Sequence, residues 1–178
     1  MVVEPTRILR GALAGAAAAG VWAAQSPLDR RLFGVDHDDP ALLGKALTRR
    51  PAWRPLGLAA HLLNGAAFGA VYAIAAPSLP VPPWARGPLA GVGEGVATWP
   101  LAAVSDRLHP AREELPQLWG SRPAFAQMLW RHLLFGALLG ELERRLNPPE
   151  DAEELTPMVV STNGHGRVED LAGVAAGD

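Results

Sequence analysis

The sequence predicts an all-α, polytopic membrane protein: four transmembrane helices built as two tandem two-helix repeats. Three observations lead there. First, His132-Leu133-Leu134-Phe135-Gly136-Ala137-Leu138-Leu139-Gly140 repeats His61-Leu62-Leu63-Asn64-Gly65-Ala66-Ala67-Phe68-Gly69, sharing His, both Leu, both Gly and one Ala in register. Second, the preceding apolar stretches echo each other: Gly11-Ala12-Leu13-Ala14-Gly15 matches Gly87-Pro88-Leu89-Ala90-Gly91. With one residue inserted, Trp22 then aligns with Trp99 and Asp29-Arg30 with Asp106-Arg107. Third, long apolar blocks alternate with charged connectors, which is why the mean hydropathy of +0.09 is only modest.

The first span starts near Ile8, and as far as Gln25 its only charge is Arg10. A basic flank before an Ala-rich apolar run is also the pattern of a cleaved signal peptide. The internal position of the matching stretch 87–104 favours a span, and helical continuation to Leu32 or Phe33 supplies the ~20 residues a bilayer needs. A polar connector, 34–55, follows. Within it Asp39-Pro40 opens a short amphipathic helix, with Pro at its first position, that can lie on the membrane surface. Asp36, His37, Asp38 and Asp39 are read as an acidic, helix-capping turn. Four adjacent residues lack the spacing of a cation cage.

Leu56 to Ala76 forms the second span, and Pro77, Pro80, Pro82 and Pro83 end it in a turn no helix can continue. Trp84 and Arg86 fit an interfacial anchor. The third span, Gly87 to Val104, contains Glu94 and Pro100. A second connector occupies 105–123. The fourth span runs from about Ala124 to Leu142 and closes on Arg144-Arg145. The predicted division is thus a bundle over 1–146 (repeats 8–77 and 87–146) and a disordered acidic tail over 147–178. The tail has seven acids against one Arg and no periodicity.

Two spans per unit make the copies parallel repeats about an axis along the membrane normal. Every span carries glycines four apart: Gly11/Gly15, Gly65/Gly69, Gly87/Gly91 and Gly136/Gly140. Small residues at that spacing let helix backbones approach where lipid offers no hydrophobic drive. The same topology places Asp29, Asp106, His61, His132 and Arg131 at the connector side as an intramembrane polar layer, flanked by Gln25, Gln127, Trp22 and Trp99. Ionisable groups at such depth pair or face the bundle interior. The layer reads either as hydrogen bonding that fixes helix register or as a site.

Glu94 has no acidic repeat partner, since Ala18 stands at the matching position. It lies twelve residues before Asp106, about 18 Å deeper on a straight helix. It is expected to face inward as a protonatable carboxylate, or as a neutral acid bonded to a neighbouring helix. Glu141 is placed either near that depth or emerging at the interface.

With no Cys, disulfides and thiolate metal sites are excluded. No catalytic triad, phosphate loop or metalloprotease motif occurs, and Gly91–Gly95 mimics a glycine-rich loop without a preceding strand. No enzyme, metal, cofactor or nucleic-acid partner is therefore expected, and two histidines alone do not establish a bis-histidine haem site. The expected partners are the lipid bilayer and either a second copy or another membrane protein.

The Gly/Ala/Leu-rich opening span, Gly87-Pro88-Leu89-Ala90-Gly91 leading the third span, and the His-bearing fourth span ending in Arg144-Arg145 resemble the YagU-type family of small bacterial inner-membrane proteins, over about residues 8–146. The first connector is shorter than that family's. The resemblance implies a multi-pass inner-membrane protein and carries over no catalytic residue. The expected function is structural or accessory, linked to envelope stress. The alternative is a proton- or ion-linked transporter unit using Glu94 and the Asp/His layer. Connector-side Arg and Lys outnumber those at the opposite span ends nine to five, which favours cytoplasmic connectors. The resemblance and the acidic tail favour the opposite orientation.

Overall fold

A computed structural model describes residues 4–148, and these are all helix, turn and loop. The tail expected over 147–178 lies outside the described residues except for Asn147 and Pro148. Six α-helices occur in the order α1 (Pro5–Phe33), α2 (Asp39–Leu47), α3 (Trp53–Ala75), α4 (Pro83–Thr98), α5 (Leu101–Leu108) and α6 (Arg122–Leu146). Single 3₁₀ turns lie at Ala76–Ser78 and Arg112–Glu114.

The punctuation follows local chemistry. Helix α1 stops at Gly34, whose φ of 67° is a left-handed cap. Prolines stand in the first turns of α1, α2, α4 and α6, where no amide donor is needed. The Ser121 hydroxyl caps α6 by accepting from the Ala124 amide.

One expectation needs correction. The stretch 87–104 is not one helix: α4 ends at Thr98 and α5 begins at Leu101, because Pro100 has no amide to donate. In the first connector, α2 packs against the start of α3. There Gly44 and Gly57 form a further glycine contact. A Cβ on Gly57 would meet the Gly44 amide nitrogen at 2.9 Å.

Helix α1 packs on α3 and α4 packs on α6, while α1 and α6 pack against each other in the middle. The glycines set the first two contacts. Gly11 and Gly15 face Gly65 and Gly69, and Gly87 and Gly91 face Gly136 and Gly140. A Cβ on Gly65 would stand 2.5 Å from that of Ala19, and one on Gly140 3.0 Å from the Gly87 Cα. Backbone-to-backbone approach gains dispersion and Cα–H···O contacts that any side chain would abolish. Helices α3 and α4, the outer members, make no extended contact, and a cleft lies between them.

The buried stripe of each helix is built from small or polar residues. On α1 it is Gly11, Ala14, Gly15, Ala18, Ala19, Trp22, Ser26 and Asp29, and on α4 Ala85, Gly87, Gly91 and Gly95. The leucines point outward: Leu13, Leu28, Leu32 and Leu63 are each more than half exposed. By length and composition, the segment Trp53–Ser78 is the one described helix apolar and long enough to cross a membrane.

Candidate functional site: a buried ion cluster beside an interhelical cleft

At the connector end the stripes of α1 and α6 bring Asp29 opposite Arg131, both about 1 % exposed. The guanidinium grips the carboxylate with two bonds, Nε to Oδ2 at 2.6 Å and Nη2 to Oδ1 at 2.7 Å. This fork geometry is the strongest form of the pair. Nη2 also donates to Ser26 Oγ and to the His37 carbonyl, and Nη1 donates to Asp39 Oδ2 at 2.7 Å. Gln127 and Gln25 donate to the remaining lone pairs of Asp29. Every donor nitrogen of Arg131 is thus engaged, and a buried pair so saturated escapes most of the cost of desolvation.

Asp39 is the residue that sequence reasoning misassigned. It was expected to cap α2, but Asp38 stands at the cap position and Asp39 is the first residue of that helix. It accepts instead from the Trp22 indole at 3.0 Å and from Arg131, and lies 3.3 Å from His37 Nε2. Burial pushes its carboxyl up, but the charge and hydrogen bond of His37 together with Arg131 outweigh this and hold it well below the usual carboxylate range. His37 Nδ1 is the one buried side-chain nitrogen or oxygen without a partner among the described residues. The four neighbours Asp36, His37, Asp38 and Asp39 diverge: Asp36 pairs with Arg30 on the surface, and Asp38 receives the Ser26 hydroxyl at 3.5 Å. No group of three or more potential metal ligands converges among the described residues.

Asp106 does not join Asp29. The break at Pro100 carries it into the second connector, where its carboxylate accepts from the Leu118 and Trp119 amides. Its Trp99 neighbour likewise departs from Trp22, stacking on Trp119 and Phe125. Glu94 lies against a neighbouring helix. Its Oε2 stands 2.8 Å from His132 Nε2 on α6. The crossing of α4 over α6 at Gly91 and Gly136 sets that register, and Gly95 makes the room: a Cβ there would meet the His132 ring at 2.6 Å. His132 Nδ1 must donate to the Met128 carbonyl at 2.8 Å, since a carbonyl only accepts. The second ring nitrogen and Glu94 therefore share a proton, as imidazolium with carboxylate or imidazole with carboxylic acid, with the same net charge.

His61 is buried on α3 and donates Nε2–H to the Ala19 carbonyl at 3.2 Å. Trp22 meets both rings edge to face, at 5.3 Å from His61 and 4.7 Å from His132. Each histidine has thus committed one nitrogen to backbone and its ring to Trp22. Glu141 emerges at the surface, paired with Arg144 and Arg145. Sequence reasoning did not single out Glu143, which takes Arg7 Nη2 at 2.5 Å and the Asn147 amide at 3.2 Å at the far end of the bundle. The spacing Gln127, Arg131, Phe135, Leu139, Glu143 puts it on the buried stripe of α6, a signal visible in the sequence. Asn147, counted with the tail, belongs to this end of the helix.

The Glu94–His132 pair, His61 and Trp22 all line a cleft of about 350 Å³ between α3 and α4. That is the size of a small-molecule pocket. Phe68, Trp99 and Phe135 complete its apolar walls, and Arg131 with Asp39 stands at the connector end. No family model, curated protein or solved structure matches the chain.

Proposed function

We propose that the chain is a small multi-pass integral protein of the bacterial inner membrane, acting as a structural or accessory component of the envelope. One observation carries this reading. The largest fully buried side chains are Arg131, Leu139, Gln127 and Asp29, while Leu32, Leu63 and Leu108 are 70 % exposed or more. In water, burying these charges while exposing these leucines runs against the hydrophobic effect. In a bilayer the same arrangement is favourable, with leucines solvated by lipid and charges paired inside. Helices α1, α3 and α6 measure about 44, 35 and 37 Å at ~1.5 Å per residue, enough to span ~30 Å of hydrocarbon. The resemblance to YagU-type proteins points the same way.

The absence of cysteine makes the test direct. Single cysteines replacing Leu63 and Leu133 should resist a membrane-impermeant maleimide in native membranes, while cysteines at Asp36 and Glu113 react from one side. Equal labelling at all four would refute membrane embedding. A second reading, a proton- or ion-linked transport unit, is favoured by the shared proton of Glu94 and His132 on the cleft wall. Reconstituted protein would then conduct protons or cations, and Glu94→Gln would abolish the flux. Flux indistinguishable from empty vesicles removes that reading.

A further inference from the structure

We infer that the cleft between α3 and α4 is a binding site for a hydrophobic organic monocation, an ammonium or guanidinium carried on an aromatic or alkyl body. The inference rests on the membrane-bundle reading for access from lipid, and its chemistry comes from the cleft itself. Trp22, Phe68, Trp99 and Phe135 supply aromatic surface around the cavity. Aromatic faces attract cations through their quadrupole, most strongly where water is excluded. Glu94 projects into the same space with its side chain about one-third exposed, so its second oxygen remains available beside the His132 contact. Asn64, on the α3 wall, is exposed and makes no hydrogen bond to another described residue.

Charge decides the sign of the ligand. Arg131 is the one fixed cation lining the cleft, and all its nitrogens are already held by Asp29, Asp39, Ser26 and the His37 carbonyl. It is about 1 % exposed and so has little surface to offer an anion. Of the carboxylates lining the cleft, Asp39 is held by Trp22, Arg131 and His37, whereas Glu94 meets His132 through one oxygen and keeps the other towards the cavity. A cation gains from that carboxylate oxygen and the aromatic walls, while an anion would have to compete with the carboxylates already bound to Arg131. A cavity of about 350 Å³ admits a body of about the size of a substituted benzene with a small ammonium head.

The test uses the full chain in a nonionic detergent and three shape-matched probes: benzyltrimethylammonium, its uncharged carbon isostere neopentylbenzene, and benzylphosphonate. Titration calorimetry, with tryptophan fluorescence as a second readout, should show saturable one-to-one binding of the cation and none of the anion. Glu94→Gln should weaken the cation about tenfold or more, Glu94→Asp should retain most of the affinity, and Phe68→Leu should cost a few-fold. Neopentylbenzene binding as tightly as the cation, or the anion binding in preference, overturns the inference. So does wild-type affinity in a folded Glu94→Gln protein. If that variant does not fold, the ranking of the three probes on the wild-type chain still decides. Failure here leaves the maleimide pattern untouched, so loss of the ligand site and loss of the membrane reading are distinguishable.

Discussion

Replacing Arg131 with methionine removes one guanidinium and leaves much of the volume filled. Two carboxylates lose their cation. Asp29, fully buried, keeps only the amide donors of Gln127 and Gln25, at 2.9 and 2.6 Å. Asp39, about one-fifth exposed, keeps Trp22 and His37. Removing one partner of a buried pair costs about 3–5 kcal/mol, mostly because the other charge is stranded. Asp29 falls in that range, since its side chain has no access to solvent at all. The double variant Arg131→Met with Asp29→Leu removes both charges together and should recover at least ~2 kcal/mol relative to the sum of the single losses. Equilibrium unfolding of the purified protein in mixed micelles, titrated with a denaturing detergent, gives all four corners of the cycle. A loss below about 1 kcal/mol for Arg131→Met would refute the reasoning. So would additivity of the two single changes, because either result means the pair is solvated and does not organise the connector end.

Further outcomes follow from the same geometry. Gly69→Leu and Gly140→Leu should each lower the melting temperature in detergent far more than Leu63→Ala, since their Cβ positions collide with a facing helix and Leu63 faces outward; equal tolerance would contradict glycine-mediated packing. Asp39 titrates below its unfolded value of 3.8, so its contribution is complete above that value and is lost as pH falls through and below it. Stability should therefore decline on acidification from about pH 4–5 downward, and Asp39→Asn should flatten that decline; an unchanged profile would mean another carboxylate carries it. Glu143→Gln should loosen the far end by removing the charge that Arg7 meets, seen as faster amide exchange near both residues; unaltered exchange would show the contact is dispensable.

Much of this protein was legible in the residues alone. Glycines four apart mark contact faces because only a missing side chain permits backbone approach, and the repeated order of such motifs marks which helices can pair. The positions of Asp29, Arg131, Gln25 and Gln127 near one end of their helices followed from counting residues along them. Proline clusters and Gly34 ended helices where local backbone rules require. What the sequence could not determine depends on rotation, register and chain reversal. Pro100 could have kinked the third segment or broken it, and only the break removes Asp106 from Asp29. The 2.8 Å meeting of Glu94 with His132 depends on where α4 crosses α6, a quantity fixed by the Gly91–Gly136 contact and invisible to either helix alone. Asp39 was read locally, as a cap, because nothing in a connector announces that it folds back over the end of the bundle. Its partners Trp22 and Arg131 lie 17 and 92 residues away. The cleft exists for the same reason: α1 and α6 take the centre, α3 and α4 are held apart, and the space between them belongs to the packing of four helices and to no single stretch of chain.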